Sequence, residues 1–303
     1  MAIWTAKDAE RQDGRRVLVT GGVSGIGFQA ARALGEKGAE LIIIGRDATN
    51  GKRALAELRR VIPTGSFSFE QADLANLHSV SDFANRALQK GHRIDLLLNV
   101  AGVMAVPERR LTTDGFEMHL GTNHLGHFAL TGHLLPLLRN GRVVQVTAQI
   151  ARWAKLDLSD LQSAKSYKPM IAYARSKLAN ILFAVELNTR AGSLGPSAVP
   201  VDPGTANTAL QRHSSAFARR LAEKLINIIG YPLDRVADPV VFGAVCQAPN
   251  DHSYVKPLKF IQKSGPPTYV EVPKPALDEV LRKRLWEMSE SLTGVHYEGI
   301  QRP

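Results

Sequence analysis

The chain has 303 residues, of which 44% are hydrophobic and 22% charged, with 25 Gly and 16 Pro. This globular balance excludes a disordered, low-complexity or collagen-like chain. The single cysteine, Cys246, excludes an internal disulfide, so the fold must rest on its core, and it suits a reducing compartment. The net charge of +10 (pI near 9.8) is spread over pairs such as Arg59-Arg60, Arg109-Arg110 and Arg219-Arg220 and the triplet Arg282-Lys283-Arg284. Scattered charge of this kind reads as a solvated basic surface that attracts small anions, not as a nucleic-acid site.

In chain order, Val17 to Val19 is a short β-branched run ending in glycines and predicts a buried strand. Residues 26–37 predict a helix stopped by Gly38. Strands are then expected at 41–44, 66–70, 94–98, 142–146 and 199–201, and helices at 48–61, 80–89, 116–138 and 173–189. The last third predicts helices at 216–229, 236–248 and 277–292, with an irregular Pro, Lys and Gly-rich stretch over 250–274. Alternating strands and helices imply βαβ units: an α/β fold with a Rossmann-type, doubly wound parallel sheet of about seven strands and helices on both faces. No linker separates a second part, so one domain over residues 1–303 is expected, with a C-terminal extension at 250–303. The N-terminus lacks the apolar segment of a signal peptide, and no stretch is long and apolar enough to span a bilayer. A soluble, cytoplasmic protein is therefore expected.

Ligands of such sheets sit beyond the carboxyl ends of the strands. The first strand ends in Thr20-Gly21-Gly22-Val23-Ser24-Gly25-Ile26-Gly27. Glycines there let the backbone approach a pyrophosphate, and the helix that follows points its free N–H groups at the anion. The second strand ends in Gly45-Arg46-Asp47. Arg46 suits the 2′-phosphate of NADP(H) over the free hydroxyl of NAD(H), because a guanidinium binds phosphate bidentately. Asp47 reads as the N-cap of the next helix. Tyr173 and Lys177 are four residues apart, on one face of a helix. A neighbouring ammonium lowers a phenol's pKa, which would let Tyr173 act as a general acid–base.

These motifs resemble the short-chain dehydrogenase/reductase family. T-G-x-x-x-G-I-G at Thr20 to Gly27 and Y-x-x-x-K at Tyr173 to Lys177 match its two signatures, and Asn99-Val100-Ala101-Gly102 is similar to its N-N-A-G. The resemblance implies that Gly21, Val23, Ser24, Gly25, Ile26, Gly27, Arg46, Asp73, Leu74, Asn99, Ala101, Gly102, Pro203, Gly204, Thr205 and Thr208 hold the cofactor, together with Tyr173 and Lys177. It implies that Asn123 shapes the site and holds a proton-relay water. NHLGHFALTGHLLPLL, YARSKLANILFAVEL, DPGTANTALQRHSS and RRLWEMSESLTGV resemble the retinol dehydrogenase-like branch, closer to its soluble bacterial members. That branch interconverts carbonyls and alcohols on apolar molecules. The resemblance places the substrate pocket at Met104, Val106, Ala151, Trp153, Leu210, His213 and Phe217, with a lid around 205–230, and permits a homo-oligomer.

One position departs from the family. Its catalytic serine, after the fifth strand, falls on Ala148, which cannot hydrogen-bond a carbonyl. Loss of one such donor costs on the order of 10²–10³ in rate. On a continuing strand Thr147 faces the other way; Gln149 and Ser163 are weaker candidates. Four readings stay open: a slower reductase, an engineered variant, other chemistry at the same site (C=C reduction, cyclisation or isomerisation), or a cofactor-binding scaffold. The spacing of His119, His124, His127 and His133 does not present a metal site, and Cys246 reads as core.

Overall fold

The computed structural model describes residues 3–192, 195–204, 235–258 and 265–300. Its strands are β1 (Arg16–Thr20), β2 (Glu40–Gly45), β3 (Phe67–Gln71), β4 (Leu96–Asn99), β5 (Arg142–Val146), β6 (Ser197–Val201), β7 (Ser253–Pro257) and β8 (Pro267–Glu271). The helices are α1 (Gly25–Glu36), α2 (Ala48–Val61), α3 (Leu77–Lys90), α4 (Gly126–His133), α5 (Pro169–Ala191), α6 (Asp238–Val245) and α7 (Glu279–Thr293). All eight strands join one sheet in the order β3-β2-β1-β4-β5-β6-β7-β8, parallel except for β8. The order reverses between β1 and β4, which opens a crevice at their carboxyl ends.

Strand burial follows from the pleat. Val17 and Val19 of β1 pack with α1 and α6 on one face, whereas Leu18 packs with α3 and α4 on the other. Helix α5 is buried on two sides. Phe183 and Leu187 meet the sheet layer, and Leu178, Ile181 and Leu182 meet Leu285 of α7. Trp286 of α7 lies against Phe183, with ring centroids 5.8 Å apart, and the Tyr297 hydroxyl donates to the Phe128 carbonyl at 2.7 Å. At this contact Glu186, fully buried, accepts from Arg190 at 2.7 Å and Arg282 at 3.3 Å.

Two expectations are corrected. The stretch 250–274 is not wholly irregular, because it contains β7 and β8, paired antiparallel. Its prolines hid the pattern, yet Pro257 and Pro267 stand opposite each other at the strand ends as a pair that exchanges no N–H bonds, and the Leu258 N–H donates to the Pro266 carbonyl just past them at 3.0 Å. The helix expected over 116–138 is broken into a π-helical turn (Leu120–Leu125), α4 and a 3₁₀ turn (Leu135–Leu137). Pro136 has no N–H to continue an α-helix. The helix expected over 216–229 lies outside the described residues. Among the described residues, no helix is long and apolar enough to cross a membrane.

Candidate active site

The carboxyl ends of the parallel strands surround a cavity of about 520 Å³. One wall is the loop from β1 into α1, where Gly21, Val23, Ser24, Gly25, Ile26 and Gly27 all line the space. A Cβ on Gly27 would stand 2.5 Å from the Gly21 carbonyl oxygen, so only glycine lets this loop close on itself. The loop delivers the chain to the amino end of α1, whose first N–H groups have no partner within the helix.

Beside it, Arg46 is exposed at the cavity edge after β2, and its carbonyl accepts from Gln71 Nε2 at 2.9 Å. The Asp47 carboxylate is used elsewhere: it caps α2, accepting from the Asn50 N–H at 2.9 Å. Asp73 and Leu74 line the same end, where Asp73 Oδ1 accepts from the Ala75 N–H. Ala101, Gly102 and Met104 line the middle after β4.

The opposite wall comes from β5, α5 and β6. Tyr173 and Lys177 are 5% and 3% exposed, and both line the cavity, with Lys177 Nζ 5.9 Å from the centre of the Tyr173 ring. Lys177 Nζ donates to the Val146 carbonyl at 3.1 Å, which fixes the side chain beneath β5. Burial pushes the ammonium down to about 8, against the opposing pull of Asp202. The expected lowering of the Tyr173 phenol is overturned. Burial raises it well above its ordinary value, and the Asp202 charge raises it further.

Ala148 lines the cavity in extended backbone (φ −158°, ψ 153°). Thr147 is turned by the pleat, and its hydroxyl donates to the Lys177 carbonyl at 2.7 Å. Gln149, Ile150, Trp153 and Met170 extend this wall, with Trp153 66% exposed at the mouth. Pro203 and Gly204 close it beyond β6. Val106 and Ala151 are core residues away from the lining. Ser163 is buried and bonded by Arg175 Nη1, not at the cavity wall. Thr205, Thr208, Leu210, His213, Phe217 and the lid expected around 205–230 lie outside the described residues.

Two expected site residues stand behind the wall. Asn99 sends its side chain into the interior, donating to Gln145 Oε1 at 2.8 Å and Thr131 Oγ1 at 3.2 Å. Asn123 is fully buried in the π-helical turn. Its Oδ1 accepts from the Val103 N–H at 2.7 Å, and its Nδ2 donates to the Val103 carbonyl and Ser176 Oγ, both at 3.0 Å. It thus braces the segment after β4 against α5. Gly102 fits this brace closely, because a Cβ there would stand 2.9 Å from Asn123 Oδ1. The Asn123 carbonyl accepts from His127 Nδ1 at 2.9 Å, which leaves His127 Nε2 to accept from the Thr20 hydroxyl at the end of β1.

The remaining histidines of this stretch are also tied to their surroundings. His119 Nδ1 bonds Glu117 at 2.7 Å and His124 Nε2 bonds Ser289 at 2.9 Å, while His133 is half-buried. Sequence reasoning missed Asp202, Ile150 and Met170 at the cavity, and Gln149, a weaker candidate there, does line it. Asp202 carried a usable signal, an acid at the carboxyl end of a buried parallel strand.

A family model described as short chain dehydrogenase matches residues 15–219. The chain is 34% identical to human polyprenol dehydrogenase, over 93% of this chain and 86% of that protein. Mouse retinol dehydrogenase 14 is also 34% identical, with the same two coverages. Among solved structures, an uncharacterized protein from Mycobacterium paratuberculosis is 35% identical with a TM-score of 0.80, covering 98% of this chain and 99% of that one. Pseudomonas aeruginosa RhlG, in an active-site complex with NADP, is 25% identical with a TM-score of 0.60, over 77% and 91%.

Proposed function

Because the chain belongs to the short-chain dehydrogenase/reductase family, in its retinol dehydrogenase-like branch, we propose that it transfers hydride between NADP(H) and a carbonyl or alcohol on an apolar molecule. The observation that carries this reading is the shared opening of Tyr173 and Lys177 into one cavity with the glycine loop. The loop fits a pyrophosphate, since its own closure leaves no room for side chains and α1 presents unpaired N–H groups there. The NADP(H) bound by the solved relative RhlG agrees with this fit.

Gly21 to Gly27 would hold the pyrophosphate, Asp73 and Leu74 the adenine, and Arg46 the 2′-phosphate. Asp47 is occupied as a helix cap, so no acid competes for that position. Lys177 spends one N–H on Val146 and keeps two for the nicotinamide ribose. Ala101, Gly102, Pro203 and Gly204 would flank the nicotinamide, whose bound form supplies or accepts the hydride. Tyr173 gives the proton to the carbonyl oxygen in reduction and takes it back in oxidation. Lys177 holds positive charge beside the phenol, and Asn123 braces the wall that faces both.

Met104, Ile150, Trp153 and Met170 make the substrate end apolar. With Ala148 in place of a hydroxyl, the carbonyl is polarised by Tyr173 without a second side-chain donor at that position. A second reading rests on this same residue: a protein that binds NADP(H) with little or non-redox turnover.

The test is initial-rate NADPH oxidation with a panel of apolar aldehydes, ketones and enones, for the chain itself, Ala148→Ser and Tyr173→Phe. Turnover abolished by Tyr173→Phe is expected, with a gain near 10²-fold in the serine variant. NADPH binding without consumption in the chain and in Ala148→Ser would put the second reading ahead.

A further inference from the structure

Asp202 is a buried acid that the proposed chemistry leaves unused. It follows β6 directly and lines the cavity with Tyr173 and Lys177, yet it is only 5% exposed. The register of the sheet puts it there. The Thr147 N–H donates to the Val201 carbonyl, and the Asp202 N–H donates to the Val255 carbonyl, each at 2.8 Å. The ends of β5 and β6 and the middle of β7 therefore meet at this residue.

The Gly204 N–H donates to the Asp202 carboxylate at Oδ1, over 2.9 Å. The Gln149 N–H and the Tyr254 hydroxyl also favour its charged form. Gly204 and Gln149 belong to the loops that form the cavity wall, one after Pro203 and one after Ala148, and Tyr254 is a buried phenol on β7, 7% exposed. A buried carboxylate among such groups is a built feature, since a buried charge without them would be costly.

The charged and titratable groups around it come from three elements. Helix α5 contributes Tyr173 and Lys177, β7 contributes Tyr254 and Lys256, and the turn after β5 contributes Arg152, which acts on Tyr254. We propose that Asp202 is a positioning residue that keeps Lys177 charged and Tyr173 protonated, and so extends carbonyl reduction to higher pH.

The electrostatics agree with this geometry. The Asp202 charge favours the Lys177 ammonium and opposes a tyrosinate at Tyr173. Both effects favour the form in which Tyr173 can give up a proton. Burial pushes Asp202 itself up to about 6, so the carboxylate is in place through neutral and alkaline pH. The inference rests on the oxidoreductase reading for its consequence, but not for its electrostatic content.

Asp202→Asn tests it, because the amide keeps the shape and removes the charge. The direct readout is NMR titration of Lys177 in protein carrying labelled lysine side chains, with the signal assigned by its loss in Lys177→Arg. The Lys177 midpoint should fall by about one pH unit, the order expected when one neighbouring buried charge is removed. The alkaline limb of NADPH-dependent carbonyl reduction should move down by the same amount. An unchanged Lys177 midpoint overturns the proposal.

A shifted midpoint in a protein that never consumes NADPH supports the proposal and counts against the carbonyl-reductase reading, so the two failures are distinguishable. If Asp202→Asn does not fold, the unmodified protein decides. Its Lys177 signal must show a second, smaller step near pH 6 as Asp202 titrates, and a single step overturns the proposal.

Discussion

The Thr147 hydroxyl donates to the Lys177 carbonyl at 2.7 Å, and this bond commits the hydroxyl next to Ala148 to α5. The residue is therefore a tie between β5 and α5. Thr147→Val should cost about 1 kcal/mol of stability, the ordinary net value of such a bond, with little loss in the rate of carbonyl reduction. Ala148→Ser should do the opposite and raise the rate at nearly constant stability. Urea unfolding and NADPH-oxidation rates on the two variants separate the roles. A rate loss in Thr147→Val as large as that in Tyr173→Phe would show that its hydroxyl serves the substrate.

Lys177 is 3% exposed, and its ammonium is pushed down to about 8 by burial. Below pH 8 the folded chain holds a charge that the unfolded chain carries more comfortably, so stability should rise as pH increases from about 8 towards 10.5. Lys177→Met should therefore stabilise the protein at pH 7 by about 1–3 kcal/mol while abolishing turnover. The Val146 carbonyl would keep its bond from Asn180 Nδ2 at 3.0 Å. Thermal unfolding of the variant at pH 7 and pH 10 checks the sign. A lower Tm at pH 7 would contradict it.

His124 and His127 are buried as neutral rings, pushed down to about 4 and about 3. The unfolded chain protonates both near their ordinary value of 6.5, so stability should fall as pH drops below about 6.5. Asp202, raised to about 6, binds its proton more readily in the folded chain and offsets part of this loss below pH 6. The expected slope is about 1–3 kcal/mol per pH unit, read as Tm against pH. A Tm that is flat from pH 7 to pH 4.5 would contradict the buried neutral rings.

Arg46 is exposed at the cavity edge, and its acidic neighbour is committed to capping α2. Arg46→Ala should weaken NADPH binding about ten- to a hundredfold, the worth of charge-assisted hydrogen bonds to a phosphate. Binding of NADH should change little. Fluorescence titration with both nucleotides checks this, and equal losses for the two would remove Arg46 from the 2′-phosphate.

Trp286 joins α7 to the core. It is 2% exposed, lies against Phe183 and Tyr297, and receives Arg190 over its ring at 4.7 Å. Trp286→Ala should cost about 3–5 kcal/mol, measured by urea unfolding. A cost below 1 kcal/mol would mean that α7 is loosely attached.

By itself the sequence determined the elements whose cause is local. β1 and β2 are built on unbroken apolar runs, Val17 to Val19 and Leu41 to Ile44, α2 carries its own cap in Asp47, and the glycine loop and the Tyr173–Lys177 spacing are readable because each lies within a few residues. β7 and β8 were hidden because their ladder is made across the gap between them and their own residues are those of a loop.

The tertiary structure alone decided the chemistry that depends on neighbours distant in sequence. Asn99 and Asn123 look alike as polar residues near the site. Only the packing shows that one enters the core and the other braces the segment after β4. The Tyr173 phenol was expected to be lowered by Lys177, four residues away, but burial and Asp202, just after β6, raise it. Local spacing states which groups are near along the chain. Desolvation and the field of a buried charge depend on what the fold brings around them, and no short stretch of sequence contains that.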